Sequence, residues 1–436
     1  MKLPIQIADN NWVGEQIDDE VHLANLRTIA EKPIGQLNLD DNPNLLIFPQ
    51  NLNEYGDKIG EQYVFEVRDD KLYSGNIMGF IGYRGTKVRI RSRFAQNDGK
   101  DYFLHYMLQK VFAINLFDLK FNTDQESIFD FLIYLFPAFL KRALRQGLYK
   151  EYQTRHYNDA NVRGRIDVNR HLRLNMPFAG KVAYSTREYA YDNHVTQLVR
   201  HTIEYISNHP YNGGILKNDE LVKDAVSQIR EATPSYNQND RRRIINQNVR
   251  PVHHPYFSEY RNLQRLCMQI LRHEELKYGR NDDEIYGVLF DGAWLWEEYL
   301  NTILKDCGFI HPQNKVGVGH IPLFVGGSGW CFPDFYNDKM VLDAKYKWYD
   351  DWNKIQPQDF YQVISYMHVL SLNKGGYVVP VEWEDSRFPS RVLNGMGGVM
   401  SVYSMNVNYK SVSFDDYANY MHSLEKNIQN EIIHSL

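Results

Sequence analysis

The 436-residue chain is poor in cysteine, with only Cys267, Cys307 and Cys331 and no CxxC spacing. That excludes a disulfide framework and a zinc ribbon, and it fits a reducing compartment. It has no long apolar run. The longest, Phe129 to Leu140, is broken by Asp130 and Pro137, and it falls short of the roughly 18 apolar residues a membrane helix needs. The opening MKLPIQIADNNW lacks the apolar core of a signal peptide, so a cytoplasmic protein is expected. Nor is there an excess of positive charge. The net charge is −5, so any contact with nucleic acid must come from local basic patches or from a partner. No GxxxxGK[ST] loop is present, since Gly326-Gly327-Ser328-Gly329 lacks the lysine, and the chain is not expected to hydrolyse nucleotide by itself. No GxSxG elbow or catalytic Cys–His pair stands out. His253, His254, His311 and His320 have no metal-ligand spacing and are expected to be ordinary.

What remains is the composition of a soluble globular protein, 43% hydrophobic and 24% charged. The length suits two or three domains of about 100–200 residues each. Aromatics are abundant at 14%, including 31 Tyr, and core packing is their default use.

The pattern predicts an α+β multidomain chain. Residues 1–120 read as β-rich. In GFIGYRGTKVRIRSRF (Gly79–Phe94), Val88 and Ile90 alternate with Lys87, Arg89 and Arg91, and Arg84-Gly85 makes a turn. This is the period-2 signature of a half-solvated strand. Asp101–Phe112 then takes helical spacing. Residues 121–285 read as mostly helical, with a core helix over Ser127–Tyr152 bent or restarted at Pro137, and further helices over 189–206, 217–232 and 262–277. Residues 286–436 read as an α/β layer. A helix is expected over Leu289–Gly308, ending at a C′ glycine, then strands, a helix over 359–372 and the strand GGYVVPVEW.

The chemistry lies in FPDFYNDKMVLDAKYK, residues 332–347. MVLDAKY reads as a strand, which places Asp343 and Lys345 on one face. Asp334 stands nine residues before Asp343, and a turn at Asn337-Asp338 brings the two together. Clustered carboxylates raise each other's pKa unless a cation lies between them. Hard oxygen ligands suit Mg²⁺ or Mn²⁺, which activates water and offsets charge at a phosphate. Lys345 would hold or activate the attacking water and stabilise the transition state. Glu297, on the upstream helix, is a candidate third metal-facing carboxylate, while Glu298 is expected to face solvent. Downstream, Gln362 and Tyr366 lie one turn apart on a helix face.

The combination PDF…LDAKYK followed by QVISY resembles the PD-(D/E)xK nuclease superfamily in its branch with a QxxxY helix. With GFIGYRGTKVRIRSRF, VRGRIDVNRHL and LWEEYL in this order, the chain more narrowly resembles the McrC family, nuclease subunits of McrBC and LlaJI-type modification-dependent restriction systems. The resemblance implies a β-containing N-terminal domain (1–120) that binds a partner by inserting into its central channel, a helical middle region (121–285) and a nuclease domain (286–436). It implies a Mg²⁺-dependent DNA endonuclease acting on duplex DNA with a McrB-like hexameric AAA+ GTPase, whose GTP hydrolysis it stimulates. Carried over, the catalytic positions are Asp334, Asp343 and Lys345, with Glu297 and Gln362 in support and Asp334, Asp343 and Glu297 toward the metal.

Other basic patches have two readings each. Arg84, Lys87, Arg89, Arg91 and Arg93 form a stripe that suits an acidic partner channel or DNA phosphates, or else a solvated strand face. Arg163, Arg165, Arg170 and Arg173 suit a DNA backbone contact or a structural network with Asp167, and the nearby acid favours the network. Arg241, Arg242 and Arg243 are, with Tyr366, the candidate DNA contacts. A regulatory adaptor for an AAA+ motor and a self-sufficient nuclease remain as alternative functions.

Overall fold

The computed structural model describes residues 4–30, 32–37, 42, 44–49, 59–96, 101–112, 126–208, 213–217, 219–277, 285–312, 319–349, 351–382, 388–395 and 397–436. The chain divides into two compact units, one of residues 1–123 with 279–436 and one of residues 124–278. It is a mixed α+β chain with several sheets. Among the described residues no helix is long and apolar enough to cross a membrane.

The first part of the discontinuous unit runs from strand β1 (Ile5–Ala8) through helix α1 (Glu20–Ala30) and strand β2 (Asn44–Phe48) to the hairpin β3 (Ile77–Tyr83) and β4 (Thr86–Arg91), then helix α2 (Tyr102–Phe112). The hairpin turn is Arg84-Gly85, with φ of 45° and 77°. Positive φ at both central residues is what a tight antiparallel hairpin demands. On β4, Thr86, Val88 and Ile90 are buried while Lys87, Arg89 and Arg91 are half-buried, as the alternation predicts. The basic residues are not simply solvated, however. Burial lowers the pKa of Arg89, and Asp101 pulls it the other way.

The second unit opens with α3 (Glu126–Arg145), a helix that continues through Pro137. An antiparallel hairpin follows, β5 (Glu151–Asp159) with β6 (Val182–Ala190), whose intervening segment carries the short helix α4 (Val168–Leu174). Four helices complete the unit: α5 (His194–Ser207), α6 (Glu220–Ala232), α7 (Arg241–Gln247) and α8 (Ser258–Lys277). Helix expected at 146–152 and 189–193 is a correction: 151–152 and 189–190 are strands of this hairpin, and 146–150 and 191–193 are turns and connecting chain. The hairpin's burial is shallow along most of β5, so the sequence carries tyrosines and polar residues there without the apolar alternation that marks a half-buried strand.

The chain then returns to the first unit as β7 (Tyr286–Asp291), helix α9 (Gly292–Leu304), the hairpin β8 (Phe335–Tyr336) and β9 (Val341–Ala344), helix α10 (Pro357–Val369), strands β10 (Lys374–Val381) and β11 (Val399–Asn406), and helix α11 (Phe414–Ser435). The expected helix from Leu289 is a correction: Leu289, Phe290 and Asp291 are strand, and the helix begins at Gly292, capped by Asp291 accepting the Trp294 N–H at 2.7 Å. Gly308 does lie in the left-handed region, at φ 78°, where the helix and its final turn end.

Strand β7 explains why residues 1–123 and 279–436 form one unit. It pairs antiparallel with β3 and parallel with β2, inside the sheet order β1-β4-β3-β7-β2. The core below this sheet joins Leu289 of β7 to Ile7, Leu26, Ile47, Ile81 and Ile90. A second sheet, β8-β9-β10-β11 with the 391–392 strand at its edge, is parallel from β9 to β11. The β3–β7 ladder depends on a close approach at Gly79, whose φ is 127° and where a Cβ would lie 2.1 Å from the Val288 carbonyl oxygen. Gly79→Ala is therefore expected to destabilise the protein by about 1–3 kcal/mol by overpacking, seen as a lower Tm. Gly85→Asn, at an open turn position that asparagine tolerates, should leave Tm nearly unchanged.

Candidate active site

The hairpin β8–β9 builds the site. Asn337 turns the chain, its side chain accepting the Lys339 and Met340 N–H groups at 2.9 Å each. Phe335 then pairs with Leu342 and Tyr336 with Val341. This register puts Asp334 beside the end of β9, where its Oδ2 accepts the Ala344 N–H at 2.8 Å. Asp343 is 1% exposed. Lys345 Nζ lies 2.8 Å from Asp343 Oδ2, and β9's ladder continues as Lys345 N–H donates to the Val378 carbonyl. The expected face-sharing of Asp343 and Lys345 is present.

Helix α10 closes over this edge. Gln362 Oε1 accepts from Lys345 Nζ at 2.9 Å, Gln362 Nε2 donates to the Tyr366 hydroxyl at 2.8 Å, and that hydroxyl donates to the Phe332 carbonyl at 3.1 Å. The chain of bonds returns to a residue two before Asp334, so both halves of the motif are tied through one helix face. Tyr366, a candidate DNA contact, is 6% exposed and orients Gln362 here. Arg241, Arg242 and Arg243 belong to the other unit, with Arg243 paired to Asp240 at 2.6 Å and Arg241 set over Tyr205.

Two side chains at the site were not singled out from sequence. Asp359, in the first turn of α10, lies 3.3 Å from Lys345 Nζ and 3.1 Å from Lys347 Nζ, and accepts the Tyr349 hydroxyl at 2.8 Å. Its spacing of three to Gln362 was the available signal, because such residues share a helix face. The second is His311, expected to be ordinary. The 309–312 segment bridges to Tyr336, and His311 Nδ1 donates to the Asp334 carbonyl at 2.7 Å while its ring stacks on Phe335. Its Nε2 faces Glu298 at 3.8 Å, so Glu298 is not simply turned to solvent. Nothing in the sequence spacing reveals His311.

The charges are strongly perturbed. Burial, Glu297 and then Asp343 raise the pKa of Asp334 well above the usual carboxylate range. Burial also raises Asp343, against the attraction of Lys345. Burial works to lower Lys345, but Asp343, Asp359 and Asp334 outweigh it and raise its pKa. Burial likewise works to raise Asp359, yet Lys345, Tyr349 and Lys347 hold it below its ordinary value. Set among these carboxylates, the Lys345 ammonium can donate hydrogen bonds and offset negative charge.

A divalent cation fits part of this donor set. Asp343 Oδ2 is buried without a hydrogen-bond donor aligned on it, although the Lys345 charge is near. Glu297 acts on Asp334 electrostatically, but among the described residues no three His, Cys, Asp or Glu side chains are grouped to enclose a metal ion. The three-carboxylate cage of Asp334, Asp343 and Glu297 is therefore not preformed. Two carboxylate ligands completed by water and phosphate oxygens is the arrangement the residues suit, which is how Mg²⁺ commonly binds.

The site is gripped from the N-terminal part of the same unit. Arg93 leaves the basic stripe to pair with buried Asp9, Nε to Oδ2 at 3.0 Å. It lies over the Tyr346 ring at 4.6 Å and donates to the Tyr346 carbonyl at 3.3 Å. The Tyr346 hydroxyl meets Ser92 Oγ at 2.8 Å. Tyr346 directly follows Lys345.

Comparison with known proteins adds a family. The family model described as the McrBC 5-methylcytosine restriction system component matches residues 72–380. Among solved structures, similarity extends to a chain of the refined half-complex from the tetradecameric assembly of Thermococcus gammatolerans McrB AAA+ hexamers with bound McrC, at 15% identity and TM-score 0.49, covering 97% of this chain and 100% of that one. It also extends to the cryo-EM structure of the T. gammatolerans McrBC complex, at 16% identity and TM-score 0.35, covering 69% and 87% respectively. No curated protein sequence matches.

The raised Asp334 pKa makes a stability prediction. The folded state holds that proton more tightly than the unfolded chain, so stability falls as pH rises from the ordinary value of about 4 through the raised one. Asp334→Asn should therefore raise Tm at pH 8 in EDTA, and the gain should shrink as pH falls toward 4. An unchanged or lower Tm at pH 8 would contradict the assigned burial of charge.

Proposed function

The chain belongs to the family of the McrBC 5-methylcytosine restriction system component, and from that premise we propose that it is the DNA-cutting subunit of such a system, a Mg²⁺-dependent endodeoxyribonuclease with PD-(D/E)xK chemistry. The observation that carries the reading is the buried edge of β9, where Asp334, Asp343 and Lys345 converge under Gln362. Asp334 and Asp343 hold the cation, with Glu297 adding negative charge behind Asp334. Bound Mg²⁺ would polarise the scissile phosphate and lower the pKa of a coordinated water. Lys345 orients the water and stabilises negative charge developing on the phosphate. Gln362 and Asp359 fix the Lys345 ammonium in place, and His311 fixes the backbone of Asp334.

A motor partner of the McrB type, a hexameric AAA+ GTPase, completes the proposal, with this chain stimulating its GTP hydrolysis. We place the docking surface on the β5–β6 hairpin and α4. The helix buries none of its residues, and Val168, Leu172, Leu174, Met176 and Phe178 are all exposed. Exposed apolar clusters of this kind mark interaction sites. The expected Asp167 network is absent here: the Asp167 carboxylate caps α4 through the Arg170 N–H at 3.0 Å, and Arg170 and Arg173 donate to the Tyr157 and Asn169 carbonyls. The β4 stripe, by contrast, is half-buried, and of its expected partner contacts only Arg84, at the turn, is exposed.

Plasmid cleavage with Mg²⁺, with and without the GTPase partner and GTP, tests the nuclease reading. Asp343→Ala and Lys345→Ala should each lower the rate by at least about 100-fold while leaving partner GTPase stimulation intact. Leu172→Asp with Phe178→Asp should remove partner binding and GTPase stimulation without lowering Tm. Wild-type cleavage by Asp343→Ala would sink the site assignment.

A further inference from the structure

Just before the site, the chain forms a small hairpin whose contents are unusual for a surface. Ile321 pairs with Cys331 and Pro322 with Trp330. From residue 321 to residue 332 there is no charged side chain. At the tip, Phe324 is 60% exposed and Val325 is fully exposed, and Trp330, in the second strand, is 50% exposed. The tip is nonetheless built rather than loose. Leu323 N–H donates to the Gly329 carbonyl at 2.8 Å, Phe324 N–H to the Ser328 carbonyl at 3.1 Å, and Gly327 N–H to the Phe324 carbonyl at 3.2 Å. Gly329, at φ 66°, lets the Phe324 ring lie against the backbone, where a Cβ would meet it at 3.1 Å.

We propose that this hairpin is an apolar wedge that inserts Phe324 and Val325 between DNA bases beside the scissile phosphate. The proposal rests on the nuclease reading of the neighbouring site. The hairpin leads straight into it: Trp330 precedes Asp334 by four residues, a reach of at most about 14 Å in extended chain, and Phe324 and Val325 lie just beyond Pro322, which pairs with Trp330. The Tyr366 hydroxyl holds the intervening Phe332 carbonyl at 3.1 Å, so the wedge and the catalytic lysine are registered through one helix. A tip with no charge gains nothing from phosphates, whereas apolar wedges unstack base steps and bend the duplex.

The test uses the full-length Asp343→Ala chain, which is expected to bind without cutting, and a duplex carrying 2-aminopurine at successive positions. Emission should rise at one or two adjacent steps as that base unstacks. Adding Phe324→Ala and Val325→Ala should abolish the rise and weaken duplex binding, read by anisotropy, by about tenfold, as loss of an aromatic stacking contact would. Their Tm should not fall, because both side chains are exposed. No rise at any position, with or without duplex binding, overturns the wedge, while Mg²⁺-dependent plasmid cleavage by the wild-type chain judges the nuclease reading separately. If the double variant keeps duplex affinity and instead converts a dimer to a monomer, the hairpin is a contact between copies and the wedge is likewise overturned.

Discussion

The structure around the site depends on one ammonium group. Lys345 Nζ sits among Asp343, Asp359 and Gln362, and its charge is what allows carboxylates to be buried at the end of β9. A buried carboxylate without a compensating cation is costly, and Asp334 and Asp343 both show the strain as raised pKa values. Two of the groups that touch Lys345 are themselves held: Gln362 by Tyr366, which is held by Phe332, and Asp359 by Tyr349 and Lys347. The Lys345 ammonium is thus held by neighbours that are themselves held, which is the kind of arrangement electrostatic preorganisation requires.

The same constraint explains the discontinuous unit. Residues from the start of the chain reach the residue after Lys345 through Arg93, Asp9 and Ser92. Strand β7 then enters the N-terminal sheet and passes directly into α9, the helix that bears Glu297. A third tie is Glu425 on α11, which accepts the Tyr106 and Tyr299 hydroxyls at 2.9 and 3.0 Å and pairs with Lys110 at 2.8 Å. Three separate polar or ladder contacts thus tie the first part of the chain to the elements around the site. The second unit is different in kind, with helices packed on a conventional core and a hairpin that leaves apolar residues in solvent.

Short-range relations were legible in the sequence. A strand places i and i+2 on one face and a helix places i and i+4 together, which is enough to join Asp343 to Lys345, Gln362 to Tyr366, and, through the Asn337 turn, Asp334 to Asp343. The β3–β4 hairpin was readable because its alternation faces a core on one side only. The β5–β6 hairpin was not, because neither a strong apolar stripe nor a glycine turn announces it. At Leu289 the apolar run suited helix and strand alike, and pairing on both sides with β2 and β3 decided for strand.

By itself, then, the sequence determined the grouping of Asp334, Asp343 and Lys345, the turn that brings them together and the family to which the chain belongs. Only the tertiary structure decided that Asp359 and His311 enter the site, that Arg93 abandons its stripe for Asp9 and Tyr346, that the Glu297 charge acts on Asp334, and that the N- and C-terminal segments share one sheet. The reason is physical. Local spacing fixes the direction of a side chain relative to its own element, whereas burial, pKa and partner choice depend on which distant segments pack against it.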